Sequence, residues 1–145
     1  MLIKQEIILL AFAYSFRYNR DMNYKSNIED LLYETLSSVN RDEESIYFTT
    51  VDGYKYRMYH ERDCCEEVRL EEIHGDLNDL VGSPILKAGK ETNVSSRNRD
   101  LDNDTHTWTF YKLGTIKGEV TLRWYGESNG YYSEEVDFVL VKAEE

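Results

Sequence analysis

The stretch Ile46-Tyr-Phe-Thr-Thr-Val-Asp-Gly-Tyr-Lys-Tyr-Arg-Met-Tyr-His60 decides the fold class. Ile46 and Phe48 alternate with more polar residues, which is the period of a β-strand with one buried face. Asp52-Gly53 then supplies a common hairpin turn, because glycine readily adopts the left-handed backbone that tight turns need. The stretch therefore predicts a β-hairpin.

A helix is predicted immediately before this hairpin. Ser26, followed three residues later by Glu29, has the form of a capping box, in which each side chain satisfies a free amide of the first turn. Apolar residues then recur at helical spacing, at Ile28, Leu31, Leu32, Leu36 and Val39. We expect one helix whose apolar side packs on the sheet.

Segments in which apolar and polar residues alternate, as in a β-strand, continue after the hairpin. Strands are predicted around Val68, Leu70 and Ile73, and then at residues 85–88, 107–113, 119–125 and 132–141. In this interpretation Trp108 and Phe110 face the core, and the polar segment 93–105 is a mobile loop. The predicted fold class is α+β, mainly an antiparallel β meander of about six to seven strands with one packed N-terminal helix.

The length of 145 residues suits one domain, predicted at residues 26–145. Residues 1–25 are interpreted as an N-terminal extension, either helical or preceding the native start, since Met22 is a plausible alternative start. The apolar run at residues 7–16 is too short to span a bilayer, which needs about 20 residues. We therefore expect a soluble domain that does not enter a membrane.

The chain is strongly acidic, with a formal net charge of -11. Residues 61–80 hold eight acidic side chains against Arg62 and Arg69. Nucleic-acid binding needs clustered lysine and arginine, so we expect no direct nucleic-acid binding. The acidity indicates either a solvated face or an anionic surface that competes for a nucleic-acid groove.

The densest chemical feature is the segment that contains His60, Cys64 and Cys65. Imidazole and thiolate are ligands that zinc prefers, so these three residues are predicted to hold a structural zinc ion. Neighbouring cysteines seldom bridge each other, and we expect them reduced in an intracellular protein. Candidate further ligands are His74, Asp76, His106, Asp63 and Glu66.

Two other interpretations of this segment stay open. The cysteines can be small buried hydrophobic residues beside a surface histidine. Alternatively, His60 can activate Cys64 or Cys65 as a nucleophile, although the surrounding carboxylates would raise a thiol pKa and disfavour this chemistry.

The chain resembles a family of small phage-encoded domains of uncharacterised function. The likeness begins with Thr50-Val-Asp-Gly-Tyr-Lys-Tyr-Arg-Met-Tyr-His-Glu-Arg-Asp-Cys-Cys-Glu66 and covers residues from about 26 to the C-terminus. It continues through Gly75-Asp-Leu-Asn-Asp-Leu-Val-Gly-Ser-Pro-Ile85, Thr107-Trp-Thr-Phe-Tyr-Lys-Leu113 and Trp124-Tyr-Gly-Glu-Ser-Asn-Gly-Tyr-Tyr-Ser133. In size and acidity the chain also resembles zinc-containing anti-CRISPR proteins that act on Cas9.

That resemblance implies an inhibitor in the cytoplasm of an infected bacterial host, with Cas9 as its partner and His60, Cys64 and Cys65 as the metal-carrying positions. The acidic surface would then face the positively charged nucleic-acid channel of the nuclease. We expect an interaction protein instead of an enzyme. The alternatives are a metal-dependent or thiol hydrolase of a nucleotide signal, and a sponge that holds a small signalling molecule between Tyr125, Tyr131 and Tyr132.

Overall fold

Two antiparallel sheets account for almost all of the regular structure in a computed structural model that describes residues 24–96 and 104–141. The nine strands within these ranges are β1 (Tyr24–Lys25), β2 (Leu36–Arg41), β3 (Ile46–Thr50), β4 (Lys55–Tyr59), β5 (Glu67–His74), β6 (Lys87–Ser96), β7 (Thr105–Thr115), β8 (Gly118–Ser128) and β9 (Asp137–Val141). Two short 3-10 helices lie at Ile28–Leu31 and Leu77–Leu80.

The first sheet has the strand order β1-β9-β4-β3-β2, and the second has the order β5-β8-β7-β6. The predicted hairpin is present as β3 and β4, with Ile46 opposite Met58 and Phe48 opposite Tyr56. Gly53 in its turn has a φ of 94°, a conformation that favours glycine. The C-terminal strand β9 returns to the first sheet and lies between β1 and β4.

The core lies between the two sheets. The first sheet contributes the buried residues Ile46, Phe48, Tyr56, Met58, Phe138 and Leu140, and the second contributes Tyr111, Leu113, Val120, Leu122 and Trp124. The Trp124 indole nitrogen lies 3.3 Å from the Met58 sulfur, so side chains from the two sheets are in direct contact. Burial of these apolar side chains is the main force that holds the sheets together.

The predicted α+β class with one packed helix is wrong, because the described chain is almost entirely antiparallel β-structure. The capping region forms only the 3-10 helix at Ile28–Leu31, and Tyr33 then adopts a φ of 68°. Leu36 and Val39 belong to β2, where a bulge lies between Leu36 and Ser38. The bulge inserts one residue, so Leu36 and Val39 share a strand face at a spacing that imitates a helix.

The orientation predicted for β7 is also wrong. Thr109, Tyr111 and Leu113 are buried, so Trp108 and Phe110 lie on the outer face of the second sheet. Successive side chains of a strand point to opposite faces of the sheet, so residues at only every second position can face the core.

The predicted loop at 93–105 differs from the structure at both ends, since β6 extends to residue 96 and β7 begins at residue 105. Residues 97–103 lie outside the described ranges. So do residues 1–23 of the predicted extension, whereas Tyr24 and Lys25 pair with β9. No helix in residues 24–96 and 104–141 is long and apolar enough to cross a membrane.

Candidate functional site

The segment His60–Glu66 connects β4 of the first sheet to β5 of the second. Residues 61–65 are exposed, while the Glu66 side chain is fully buried and the His60 side chain is 7% exposed. The segment is therefore an exposed loop held by buried residues at its two ends. We call residues 60–66 the crossover loop.

The Glu66 carboxylate organises the crossover loop from inside. Its Oε1 atom accepts a hydrogen bond of 2.6 Å from the Asp63 amide, and its Oε2 atom accepts bonds of 3.2 Å and 3.1 Å from the Cys64 and Cys65 amides. His60 Nε2 lies 2.9 Å from Oε1. The amide of Asp63 and the side chain of His60 together lower the pKa of Glu66 to about 2, because both stabilise the ionised carboxylate.

His60 ties the loop to the segment before β9. Its Nδ1 atom lies 2.7 Å from the carbonyl oxygen of Glu135, while its Nε2 atom contacts Glu66. A carbonyl oxygen and an ionised carboxylate are both acceptors, so each ring nitrogen of His60 faces a hydrogen-bond acceptor. The Glu61 amide adds a bond of 2.9 Å to the Asp137 carboxylate of β9, so the loop has two contacts with residues 135–137.

The three residues predicted to hold zinc all lie in the crossover loop, and each has another contact there. Both ring nitrogens of His60 are engaged, and Cys64 and Cys65 are exposed and joined to each other as a vicinal disulfide. This pairing also differs from the expectation of reduced cysteines. Among the described residues, no three His, Cys, Asp or Glu side chains are placed to hold a metal ion.

The other two interpretations of the loop also differ from the geometry. The cysteines are not buried hydrophobic residues, because both are exposed. His60 directs its ring nitrogens to Glu66 and to the Glu135 carbonyl, so it does not form the pair with a cysteine that a nucleophile requires.

The further ligand candidates are spread over the second sheet and its connections. His74 is exposed and lies 3.2 Å from Glu72, while Asp76 caps the second 3-10 helix by accepting a bond from the Asn78 amide. His106 alone among these distant candidates lines a groove together with Cys65. Its Nδ1 atom lies 2.5 Å from the Tyr125 hydroxyl.

Two shallow grooves flank the crossover loop. One, of about 240 Å³, runs from Glu43 and Glu44 to Trp124. The other, of about 450 Å³, includes Asp104 and Glu127. Arg62, Glu66 and Glu67 line both, so the loop forms the ridge between them.

Acidic side chains dominate this end of the two sheets. We define the anionic end by Glu43, Glu44, Glu61, Asp63, Glu67, Asp104 and Glu127, which belong to the crossover loop or line its two grooves. Arg62 and Arg69 are the cations that line the same grooves. The arrangement gives the loop a negative field that attracts cationic groups.

A second buried carboxylate, that of Glu134, lies beside the larger groove and bonds to Ser128 in its lining. Glu134 accepts hydrogen bonds from the hydroxyls of Thr105, Thr107 and Ser128, the last two at 2.9 Å and 2.5 Å. These bonds attach the connection after β8 to β7 and β8. Gly126 lies under the same residue, since a Cβ atom there would come within 3.0 Å of the Glu134 Cβ atom.

An aromatic surface on the second sheet was missed by the sequence reasoning. Trp108 and Tyr125 are directly opposite on β7 and β8, with ring centroids 4.7 Å apart, and Phe110 is the next outward residue along β7. Along β7, aromatic residues occur both among the residues that face the core and among those that alternate with them. This was the signal in the sequence that some aromatic residues of β7 must face outward. Tyr131 and Tyr132 pack edge to face with each other at 5.2 Å, in the connection that precedes β9.

A family model for a domain of unknown function, DUF7448, matches residues 29–138. The chain belongs to this family. The DUF7448 region contains the crossover loop, both grooves and the outer face of the second sheet. It lies within the residues, from about 26 to the C-terminus, over which a family of uncharacterised function was expected, while a phage origin stays a prediction. Neither the curated proteins nor the solved structures gave a match.

Proposed function

We propose that this DUF7448 domain is a protein-binding module that uses its anionic end to occupy a basic surface of a host defence protein. The observation that carries the proposal is the fixed shape of the crossover loop, whose exposed residues 61–65 are held by the buried Glu66 carboxylate.

A fixed loop suits binding because little conformational entropy is lost when a partner docks on it. Three amides, one imidazole and the Asp137 carboxylate already define its path. The acidic side chains of the anionic end then supply electrostatic complementarity, which accelerates encounter and selects basic partners.

The partner that we propose is Cas9, acting in the cytoplasm of a phage-infected bacterium. Cas9 holds its guide and target heteroduplex in a positively charged channel. A chain with a formal net charge of -11 and a rigid anionic end would compete with nucleic acid for such a channel. Zinc at His60, Cys64 and Cys65 stays a prediction, which elemental analysis of the purified protein tests.

The experiment is retention of purified Cas9 enzymes on the immobilised domain, with and without bound guide RNA. We expect retention that weakens as salt is raised, because the interaction is between exposed charges. An excess of target DNA should displace the domain. Failure to retain any Cas9 of a representative panel at low salt would rule out this partner.

A further inference from the structure

The outer face of the second sheet combines aromatic rings with carboxylates. We call Trp108, Phe110 and Tyr125 the aromatic face; all three are partly exposed. The neighbouring outward positions of β5, β6 and β8 carry the carboxylates Glu67, Glu72, Glu91 and Glu127, with Glu71 at the bulge of β5. The outward side of an antiparallel sheet is normally polar, so a set of large rings there indicates a binding surface.

The domain's own arginines show what this surface accommodates. The Arg123 guanidinium carbon lies 4.9 Å from the centroid of the Trp108 ring, and its Nη2 atom lies 3.0 Å from Glu72. Arg69 repeats the arrangement, with its guanidinium 5.3 Å from the Tyr125 ring and 2.8 Å from Glu71. Each guanidinium thus has a ring on one side and a carboxylate at its edge.

The charge balance of the face favours a cationic ligand. Five carboxylates border the rings, against the three cations Arg69, Lys112 and Arg123. Each of these cations already contacts at least one of the five carboxylates. An anionic ligand would meet a net negative surface, whereas a guanidinium would meet rings and carboxylates in the combination that already holds Arg69 and Arg123.

We propose that the aromatic face binds an arginine-containing segment of the protein partner. The inference rests on the proposed function in one respect, that the partner is basic. Arginine suits the face better than lysine because its planar guanidinium stacks on rings and bonds a carboxylate through two nitrogens. Glu67 and Glu127 also belong to the anionic end, so one partner segment can extend from the grooves onto the aromatic face.

The test compares an arginine-only peptide with a lysine-only peptide of equal length, using isothermal titration of the full chain. We expect the arginine peptide to bind more tightly. The double variant Trp108→Ser with Phe110→Ser should weaken arginine-peptide binding about tenfold and affect the lysine peptide much less. Circular dichroism and thermal unfolding confirm that the variant is folded.

Tyr47→Ser is the matched control. Tyr47 is a partly exposed ring on the outward side of the first sheet, with the Lys55 ammonium 4.7 Å from its centroid. Its removal should leave binding of the arginine peptide unchanged. Loss of binding in this variant equal to the loss in the double variant would overturn the assignment to the aromatic face.

The outcomes separate this inference from the proposed function. Equal binding of both peptides, unaffected by the double variant, would overturn the proposal that the aromatic face binds arginine. It would not contradict the proposal that the domain is an anionic protein-binding module. Arginine-selective binding without retention of Cas9 would overturn the Cas9 proposal alone. Absence of binding by either peptide would overturn the inference and count against a basic partner of any kind.

Discussion

The Nε2 atom of His60 lies 2.9 Å from Oε1 of Glu66, and this contact joins the end of β4 to the start of β5. The same carboxylate accepts the amides of Asp63, Cys64 and Cys65. One buried side chain thus determines the path of the loop that crosses from the first sheet to the second.

Replacement of this carboxylate should destabilise the domain. Glu66→Ala leaves three loop amides and the His60 ring without their acceptor, and we expect the Tm to fall by about 5 °C or more. Differential scanning calorimetry measures the change. Glu67→Ala is the control, because Glu67 makes an exposed ion pair with Arg69 and its loss should alter the Tm by about 1 °C or less. Equal effects of the two substitutions would contradict the role given to Glu66.

The lowered pKa of Glu66 predicts a pH window for this stabilisation. The pKa falls from an ordinary value of 4.5 to about 2, so ionised Glu66 favours the folded state fully above about pH 4.5. The contribution is lost as the pH falls through about 2, when the folded-state carboxyl becomes protonated. Thermal unfolding of wild type and Glu66→Gln over this range should show two Tm values that converge as the pH decreases. A difference between the two Tm values that stays constant with pH would argue against stabilisation of the fold by ionised Glu66.

His60 should contribute to the stability of the domain through its two protein contacts. Both of its ring nitrogens contact protein acceptors, so His60→Ala should lower the Tm measured by thermal unfolding. The double variant Cys64→Ser with Cys65→Ser is the comparison, since these exposed residues should alter the Tm little. Zinc that elemental analysis finds in wild type and not in His60→Ala would support the predicted metal site.

The two faces of β7 should differ sharply in their tolerance of substitution. Leu113 is fully buried, and Leu113→Ala should cost about 3 kcal/mol of unfolding free energy through lost contacts and a cavity. Phe110 lies on the outward side, so Phe110→Ala should cost about 1 kcal/mol or less. Chemical denaturation provides both values. A larger loss of unfolding free energy for Phe110→Ala than for Leu113→Ala would show that the side of β7 that carries Phe110 faces the core.

The sequence predicted the β3–β4 hairpin because local signals suffice for it. Alternation of Ile46 and Phe48 and the Asp52-Gly53 turn act over a few residues. The helix prediction failed because a bulge in β2 gave Leu36 and Val39 a helical spacing. A bulge is fixed by pairing with another strand, and a periodicity argument within one segment does not detect it.

The candidate site was located by sequence, but its organisation was not. His60, Cys64 and Cys65 lie together in the crossover loop, yet the residue that holds the loop is Glu66, which the sequence pattern indicated as a candidate metal ligand and not as a structural residue. The second partner of His60 is the carbonyl of Glu135, a contact that only the return of β9 to the first sheet produces. The orientation of Trp108 likewise depends on which side of β7 the first sheet covers.

Charge reversal at the anionic end tests whether this end of the domain binds Cas9. The measurement is the affinity of purified Cas9 for wild type, for Glu61→Lys with Asp63→Lys, and for the control Asp52→Lys, by surface plasmon resonance at fixed salt. Asp52 is in the β3–β4 turn, at the opposite end of β4 from the crossover loop. We predict that the double reversal weakens binding at least about tenfold while Asp52→Lys binds like wild type. Equal affinities of all three proteins, or no binding by wild type, would contradict the proposed binding of Cas9 by the anionic end.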